Sequence, residues 1–203
     1  GVESAVNGAA DIGMASRAVK DSEMEANPEL KPIVICQDGI SVIVNPANEV
    51  ADLSLEQVKA VFTGEITNWK DLGGADASIT VINREEGSGT RGAFSEIALD
   101  EEPFIETAAI QNSTGAVKTA VISDENAIGY ISMGSMSDDV QALNIDGIAA
   151  NADNAKSGSY PIARPFNFIV KGEAEGLAKA FIDWVLDTEA QGMVVEEGFI
   201  SVK

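Results

Sequence analysis

One stretch of the chain combines residue types that can bind an anion. Residues 84–91 read Arg-Glu-Glu-Gly-Ser-Gly-Thr-Arg, between an apolar β-rich run and a run with helical spacing. Ser88 and Thr90 bring hydroxyls, and Arg84 can make a two-pronged contact with an oxyanion. Gly87 and Gly89 let the backbone approach a ligand closely. Because the unpaired N–H groups and the dipole of a helix N-terminus favour negative charge, the stretch predicts a site for a tetrahedral oxyanion.

The same stretch also fits a purely structural role. Ser88 can cap a helix that follows a flexible loop, while Arg84 and Arg91 pair with Glu85 and Glu86. It is not a Walker A loop, because no Lys follows the second glycine, so nucleotide hydrolysis is not supported. The residues alone leave anion binding and helix capping both open.

Three further segments offer weaker candidates. Ser16 and Arg17 follow a short apolar run, and Ser16 can either donate to an anion or cap a helix from residue 18 onward. Asp38 stands before Gly39 between two apolar runs, a dipeptide typical of a turn. Residues 112–115, Asn-Ser-Thr-Gly, look like a helix cap.

A carboxylate near an oxyanion site has a useful chemical role. It accepts a proton only from an anion that still carries one, so it favours hydrogen phosphate. It repels fully ionised sulfate by charge and by an unmatched lone pair. Asp38 is therefore a candidate for the residue that sets selectivity.

Composition excludes several classes of function. The 203 residues include 13 Lys and Arg against 33 Asp and Glu, a net charge of −20. Nucleic acid is therefore not an expected partner, since phosphate backbones are bound by clustered cations. There is no His, so no Ser-His-Asp triad, Cys-His pair or His-ligated zinc can form. We expect no metal and no cofactor, and we expect the lone Cys36 to be a buried small hydrophobe rather than a reactive thiol.

The elements that must position these residues alternate between strand and helix patterns. Ser54 with Gln57 predicts a capped helix to about Phe62, ended by Gly64. Residues 174–187 predict an amphipathic helix whose inward side chains are Leu177, Ala180, Phe181, Trp184 and Val185. Residues 151–159 are polar and predict a loop or linker. Predicted strands cover residues 33–36, 40–44, 79–83, 127–132, 140–145 and 164–170. This alternation favours an open α/β fold with ligands beyond the carboxyl ends of strands.

The start of the chain suggests missing sequence. Residues 1–8 carry no Met, no basic leader and no helix cap, so the chain is expected to begin inside a helix of a longer precursor. No run approaches the roughly 18 apolar residues of a membrane span.

Several long segments, in this order, resemble the phosphate-binding component of bacterial and archaeal phosphate ABC transporters. The resemblance covers essentially the whole chain. Its motifs are ADIGMASR (10–17), DGISVIVNP (38–46), LSLEQVKAVFTGEITNWKDLGG (53–74), REEGSGTRGAF (84–94), NAIGYIS (126–132) and YPIARPFNFIVKG (160–172).

The resemblance implies a type II periplasmic-binding-protein fold, with two α/β lobes joined by crossing hinge strands that close on phosphate in a cleft. The strands would cross near residues 38–44 and 159–166. Residues 40–155 would form the inserted lobe, and residues 1–39 with 156–203 the other. Family members open with a strand, a hydroxyl-rich loop, a helix and a second strand. The resemblance thus implies a first lobe truncated at its N-terminus, completed by a missing segment or a second chain.

The resemblance also implies roles for individual residues. Arg84 would grip phosphate oxygens, with Glu86 holding Arg84 in place. Ser16 and Asp38 would be ligands from the first lobe, Asp38 accepting the proton. Arg17 is a second candidate ligand, because it stands where family members place a carboxylate. The donors of the inserted lobe would be Ser88, Gly89 and Thr90.

The leading hypothesis is a non-enzymatic protein that captures hydrogen phosphate outside the cytoplasmic membrane. It would lie in the periplasm or at the extracellular face of the cytoplasmic membrane, where a missing N-terminus could carry a lipid anchor. It would deliver phosphate to the permease subunits of an ABC transporter. One alternative keeps the fold but makes it a phosphate-sensing or surface-interaction module. A phosphate-ester enzyme is disfavoured, because no nucleophile stands beside a base and no carboxylate cluster could bind metal.

Overall fold

Helices and strands alternate along the chain in the computed structural model, which describes all residues 1–203. The helices are α1 (Val2–Val6), α2 (Asp21–Ala26), α3 (Leu55–Thr63), α4 (Gly89–Ala98), α5 (Thr114–Ser123), α6 (Ala152–Lys156), α7 (Gly176–Val185) and α8 (Thr188–Glu196). The strands are β1 (Gly13–Ala15), β2 (Leu30–Val44), β3 (Asp52–Leu53), β4 (Thr80–Arg84), β5 (Ala109–Gln111), β6 (Ala127–Ser132), β7 (Gln141–Ala142), β8 (Asn144–Ile145), β9 (Ala163–Lys171) and β10 (Ile200–Ser201). No helix is both long enough and apolar enough to span a bilayer.

The chain divides into two compact units. The first unit contains Gly1–Asp38 and Arg164–Lys203, and the second contains Gly39–Ala163. The chain passes from one unit to the other inside β2 and returns at the start of β9.

The first unit is a small antiparallel sheet with helices. Strand β1 pairs with β9, with Gly13 opposite Ile169, and β10 pairs with the first half of β2, with Ile200 opposite Gln37. One small core gathers Ala5, Leu30 and Ile169. A second gathers Phe168, Val170 and Ile182.

The second unit is built on a mixed sheet. The end of β2 runs antiparallel to β6, and β6, β4 and β5 are successive parallel neighbours. Strand β7 pairs with the other edge of β2, and β3 forms a separate parallel pair with β8. Because β4 and β5 are parallel neighbours, their carboxyl ends lie at the same edge of the sheet.

One large apolar core holds the second unit together. Its largest side chains are Trp69, Tyr130, Phe62, Phe94 and Tyr160, all fully buried. Burying each such ring contributes roughly 1.5–3 kcal/mol, so this core dominates the stability of the unit. Trp69 packs in it, and its ring Nε1 donates to the carbonyl of Asn126 at 2.9 Å.

The capped helix predicted at Ser54 is confirmed. Ser54 Oγ accepts from the N–H of Gln57 at 3.1 Å, and the Gln57 side chain accepts from the Ser54 N–H at 2.9 Å. Helix α3 ends at Gly64, whose φ of +89° is the left-handed conformation that glycine adopts without strain.

The turn expected at Asp38 and Gly39 does not form. Both residues lie within β2, which continues from Leu30 to Val44 as one strand. Pairing explains the continuity, because β10 bonds to β2 at Gln37 and β6 bonds to it from Ile40 onward.

The polar segment 151–159 is not a linker. Residues Ala152–Lys156 form α6, capped by the side chain of Asn151, which accepts from the Asn154 N–H. Residues 156–163, expected in the other lobe, lie in the second unit. Tyr160 is buried in the large core there, and its hydroxyl donates to the Ile40 carbonyl at 2.9 Å.

The face expected to be buried on α7 is largely exposed. Leu177 and Trp184 were expected to point inward, but their exposed fractions are 90% and 45%. The buried residue of α7 is instead Ile182, which packs on Phe168 and Val170 of β9. The helix also begins at Gly176 rather than at residue 174.

Candidate anion-binding site

Two helix N-termini meet at the edge of the second unit's sheet. Strand β4 ends at Arg84 and leads into α4, while its parallel neighbour β5 ends at Gln111 and leads into α5. Arg84 lies opposite Gln111 in the register, and Glu85 N–H donates to the Gln111 carbonyl at 3.1 Å. The edge therefore carries the unpaired N–H groups of two helices, an environment that favours an anion.

The loop before α4 presents these groups to solvent. Gly87 has a φ of +89°, a conformation that side chains other than glycine rarely adopt. Ser88 is the N-cap, and its Oγ accepts from the Arg91 N–H at 3.2 Å. Gly89 and Thr90 are the first two helical residues, whose N–H groups have no partner within the helix. The predicted cap and the predicted donors thus coexist.

Arg84 is held beside this helix N-terminus by side chains from two loops. Its Nε and Nη2 donate to the two carboxylate oxygens of Glu85, each at 2.9 Å. Its Nη1 donates to Thr114 Oγ1, at the start of α5, at 3.3 Å. The hydrogen bond from Arg84 lowers the pKa of Glu85 to about 2, and the same bond raises the pKa of Arg84. Both groups are therefore charged at neutral pH.

Glu86, the residue expected to hold Arg84, does not contact it; the neighbouring Glu85 does. Glu86 is 93% exposed, and its carboxylate lies 3.9 Å from Arg91. Glu85 holds Arg84 instead, because Gly87 turns the chain directly after Glu86 and leaves the Glu86 side chain in solvent. These ion pairs, Arg84 with Glu85 and Arg91 with Glu86, are the ones expected if the loop only caps a helix. They nevertheless leave the first backbone N–H groups of α4 free to bind an anion.

Asn83 and Tyr130 support the loop between β4 and α4 through hydrogen bonds and ring packing. The N–H of Arg84 donates to Asn83 Oδ1 at 2.8 Å, and the hydroxyl of Tyr130 donates to the same oxygen. Burial raises the pKa of Tyr130, so its hydroxyl stays protonated. The Tyr130 ring stacks on Phe94 of α4 with centroids 4.2 Å apart. These contacts fix the end of β4 against the start of α4.

A groove of about 590 Å³ adjoins the same loop. Ser88 and Arg91 line it together with Phe104, and the Arg91 guanidinium lies over the Phe104 ring at 5.5 Å. Glu101 and Glu102 also line it, so the groove contains acidic side chains beside Arg91.

In the first unit, Ser16 and Arg17 follow β1 as expected, but Ser16 caps no helix. Ser16 is exposed, and the next helix, α2, begins only at Asp21. Arg17 donates from Nη1 and Nη2 to the two oxygens of Glu23, at 2.8 and 2.9 Å. This pair lowers the pKa of Glu23 to about 2. Arg17 therefore anchors α2 in this conformation.

Asp38 is buried in the first unit. Its Oδ2 lies 3.3 Å from Nη2 of Arg164, the first residue of that unit after the chain returns. Cys36, two residues earlier on β2, is also buried, and burial together with the charge of Asp38 raises its pKa to about 11. Cys36 is therefore an unreactive thiol, as its apolar context predicts.

Sequence reasoning missed two residues of these arrangements, Thr114 and Arg164, and it gave Glu85 only as an ion-pair partner in the structural alternative. Thr114 was read only as part of a helix cap, and Ser113 is indeed that cap, accepting from the Ala116 N–H. The available signal was the parallel pairing of β4 and β5, which places two helix starts at one edge. For Arg164, the signal was a cation in an apolar strand pattern. No group of three or more His, Cys, Asp or Glu residues is arranged to hold a metal.

The chain matches a family model described as a PBP superfamily domain over residues 1–189. It is 37% identical to the phosphate-binding protein PstS of Bacillus subtilis, over 100% of this chain and 68% of that protein. It is 44% identical to the phosphate-binding protein PstS 2 of Streptococcus pneumoniae, over 64% of this chain. The match spans 47% of the length of the S. pneumoniae protein.

Solved structures share the fold. A phosphate ABC transporter substrate-binding protein from Clostridium perfringens, solved with bound phosphate, is 43% identical with a TM-score of 0.73, covering 100% of this chain and 84% of that one. An ABC-type phosphate transport receptor from Vibrio cholerae is 33% identical with a TM-score of 0.91, and the match covers 98% of this chain and 83% of that one. The α/β architecture is thus the type II periplasmic-binding-protein fold, and the chain belongs to the PBP superfamily, in the family of PstS phosphate-binding proteins.

Proposed function

We propose that this chain is a solute-binding protein that captures inorganic phosphate, as hydrogen phosphate, for uptake by an ABC transporter. The observation that carries the proposal is the Arg84 guanidinium, held by Glu85 and Thr114 beside the N-terminus of α4. The names and bound phosphate of the relatives point to the same ligand.

In the second unit, phosphate binding uses one cation and several neutral donors. Arg84 donates to phosphate oxygens, and the first amides of α4, at Gly89 and Thr90, donate to others. The hydroxyls of Ser88 and Thr90 add further donors. Such neutral donors bind an anion without requiring a basic surface, which suits a chain with a net charge of −20.

The first unit contributes Ser16 as a hydroxyl donor and Asp38 as the acceptor of the phosphate proton. Arg17 is a second candidate ligand there; its terminal nitrogens bind Glu23, as those of Arg84 bind Glu85 and Thr114. The two structural units correspond in this proposal to the two lobes of the family fold.

The proposal includes a location and a partner. The protein acts outside the cytoplasmic membrane, in the periplasm or at the cell surface with a lipid anchor, and delivers phosphate to the permease subunits of the transporter. It is not an enzyme in this proposal, since binding and release need no covalent step, and its relatives are named as binding proteins.

Calorimetric titration near pH 7 tests the proposal. We expect the chain to bind phosphate and not sulfate, and Arg84→Gln to weaken phosphate binding by at least about tenfold, because a hydrogen bond to a charged group is worth roughly 1.5–3 kcal/mol. Arg91→Gln is the matched control, since it also removes one positive charge, from α4. The Arg91 guanidinium contacts exposed Glu86 and the Phe104 ring. Wild-type protein that ignores phosphate, or equal losses in both variants, would refute the site.

A further inference from the structure

Thr114, the first residue of α5, contacts the arginine of the proposed site. Its Oγ1 accepts a hydrogen bond from Arg84 Nη1 at 3.3 Å. Thr114 is not the cap of its helix, because Ser113 Oγ already accepts from the Ala116 N–H at 3.1 Å. The Thr114 side chain is therefore not needed to start α5, and its contact with Arg84 needs a separate explanation.

The hydroxyl hydrogen of Thr114 has no acceptor in the protein. Other helical hydroxyls do have one: Thr63, Thr119 and Ser123 each donate to the carbonyl four residues earlier in the same helix, at 2.8–3.0 Å. Thr114 cannot do so, because the first residue of a helix has no helical carbonyl four positions before it. The one hydrogen bond of its side chain is the bond that it accepts from Arg84, which leaves its hydrogen free to donate.

A hydroxyl at this position holds Arg84 without adding charge. Glu85 already places one negative charge against Nε and Nη2. A second carboxylate against Nη1 would make the group net negative and would repel an anion, whereas Thr114 is neutral. A guanidinium has five N–H groups, and these contacts use three of them, so two remain for phosphate oxygens. The hydroxyl hydrogen of Thr114 is a further donor next to those two.

We propose that Thr114 is a further phosphate ligand, whose hydroxyl donates its hydrogen to an oxygen of the phosphate that Arg84 binds. The inference rests on the proposed function and adds a residue of α5 to the donors of α4. Because the Thr114 oxygen accepts from a guanidinium, its own hydrogen is a stronger donor than that of an isolated hydroxyl. The bound phosphate then bridges the end of β4 and the starts of α4 and α5.

Phosphate titration of three single variants tests this role. We expect Thr114→Val, which keeps the shape of the side chain but removes its hydroxyl, to weaken phosphate binding by at least about fivefold. Thr114→Ser keeps a hydroxyl and should bind phosphate within about twofold of wild type. Thr119→Val is the matched control on the same helix. It removes an exposed hydroxyl that bonds the Gly115 carbonyl, and it should leave the affinity unchanged.

A second background separates direct donation to phosphate from support of Arg84. In Arg84→Ala protein, a Thr114 that acts only through the guanidinium has nothing left to support, so Thr114→Val should then have no further effect. Direct donation predicts that Thr114→Val still weakens binding there by about threefold or more. Phosphorus NMR at millimolar phosphate measures these weak affinities. If Arg84→Ala binds too weakly to measure, Arg84→Lys takes its place, because it keeps the positive charge.

The outcomes are distinct. Thr114→Val that binds phosphate as tightly as Thr119→Val, or that weakens binding only while Arg84 is present, would overturn the inference and leave Thr114 as a support for the guanidinium. If Thr114→Val does not fold, Thr114→Ala replaces it, since alanine favours a helix, and the same criteria apply. Wild-type protein that binds no phosphate would refute the proposed function itself, whereas wild-type binding with unchanged affinity in Thr114→Val refutes only this inference.

Discussion

Among single residues, Arg84 depends on its immediate neighbour for its geometry. Glu85 occupies Nε and Nη2 of the guanidinium, and Thr114 accepts from Nη1. A guanidinium held on two sides loses less side-chain entropy when it binds an anion, so more of the interaction energy appears as affinity. We therefore expect Glu85 to act on the ligand through Arg84.

Substitution of two adjacent glutamates separates this role from a general charge effect. We expect Glu85→Gln to weaken phosphate binding several-fold, because Arg84 loses its ionic partner and becomes mobile. Glu86→Gln removes the same negative charge from a side chain that is 93% exposed and should leave the affinity unchanged or slightly higher. Titration calorimetry of both variants measures the difference. Equal effects, or a loss only in Glu86→Gln, would contradict the assignment of Glu85.

At the scale of elements, the proposed binding unit consists of a strand, a loop and a helix. The end of β4 is fixed by the hydrogen bonds that Asn83 Oδ1 accepts from the Arg84 N–H and the Tyr130 hydroxyl. Gly87 then turns the loop so that Ser88 caps α4. The parallel neighbour β5 repeats the arrangement with Ser113 at the start of α5. Two such units side by side concentrate helix N-termini at one edge of the sheet.

Two N-cap serines allow stability and binding to be measured apart. Ser88→Ala and Ser54→Ala should each destabilise the protein by about 1 kcal/mol, because each removes the acceptor for a helix N–H. Only Ser88→Ala should also weaken phosphate binding, since Ser54 caps α3 outside the site. Urea denaturation and phosphate titration of both variants test this. Wild-type affinity in Ser88→Ala would remove its hydroxyl from the ligand set.

At the scale of the whole molecule, the net negative charge repels an approaching phosphate anion. A net charge of −20 on 203 residues creates a negative potential around the protein, while the donors at the start of α4 act over short distances. Salt screens the long-range repulsion, with a Debye length of about 10 Å at 0.1 M, but screens partly buried contacts much less.

The rate of phosphate association should therefore rise with ionic strength. We expect the association rate constant in 0.5 M NaCl to exceed that in 0.02 M NaCl, because screening removes the repulsion between the acidic surface and the anion. Stopped-flow measurements with a fluorescent label far from residues 84–91 would record it. An association rate that falls with salt would mean that local positive potential, rather than net charge, governs the encounter.

The local elements were readable from the residues alone. The capping box of Ser54 and Gln57, the glycine that ends α3 and the strand-to-helix transition around Ser88 each depend on neighbours within a few positions. The family also followed from motifs spread over the chain, and the similarity to the phosphate-binding protein PstS of Bacillus subtilis confirms it. The binding roles of individual residues stay predictions, for Arg84, Ser88, Gly89 and Thr90 as for Ser16, Arg17 and Asp38.

What the sequence by itself determined is the set of local structures and the type of ligand, because caps, turns and anion-binding loops are built from residues close in the chain. Tertiary structure alone decided which partners those residues meet. The pairing of β4 with β5 brings Thr114 to Arg84, and the return of the chain brings Arg164 to Asp38 across 126 positions. Strand pairing makes β2 continuous through Asp38, where the local sequence predicts a turn. Packing of Ile182 on β9 leaves Leu177 and Trp184 of the same helix exposed.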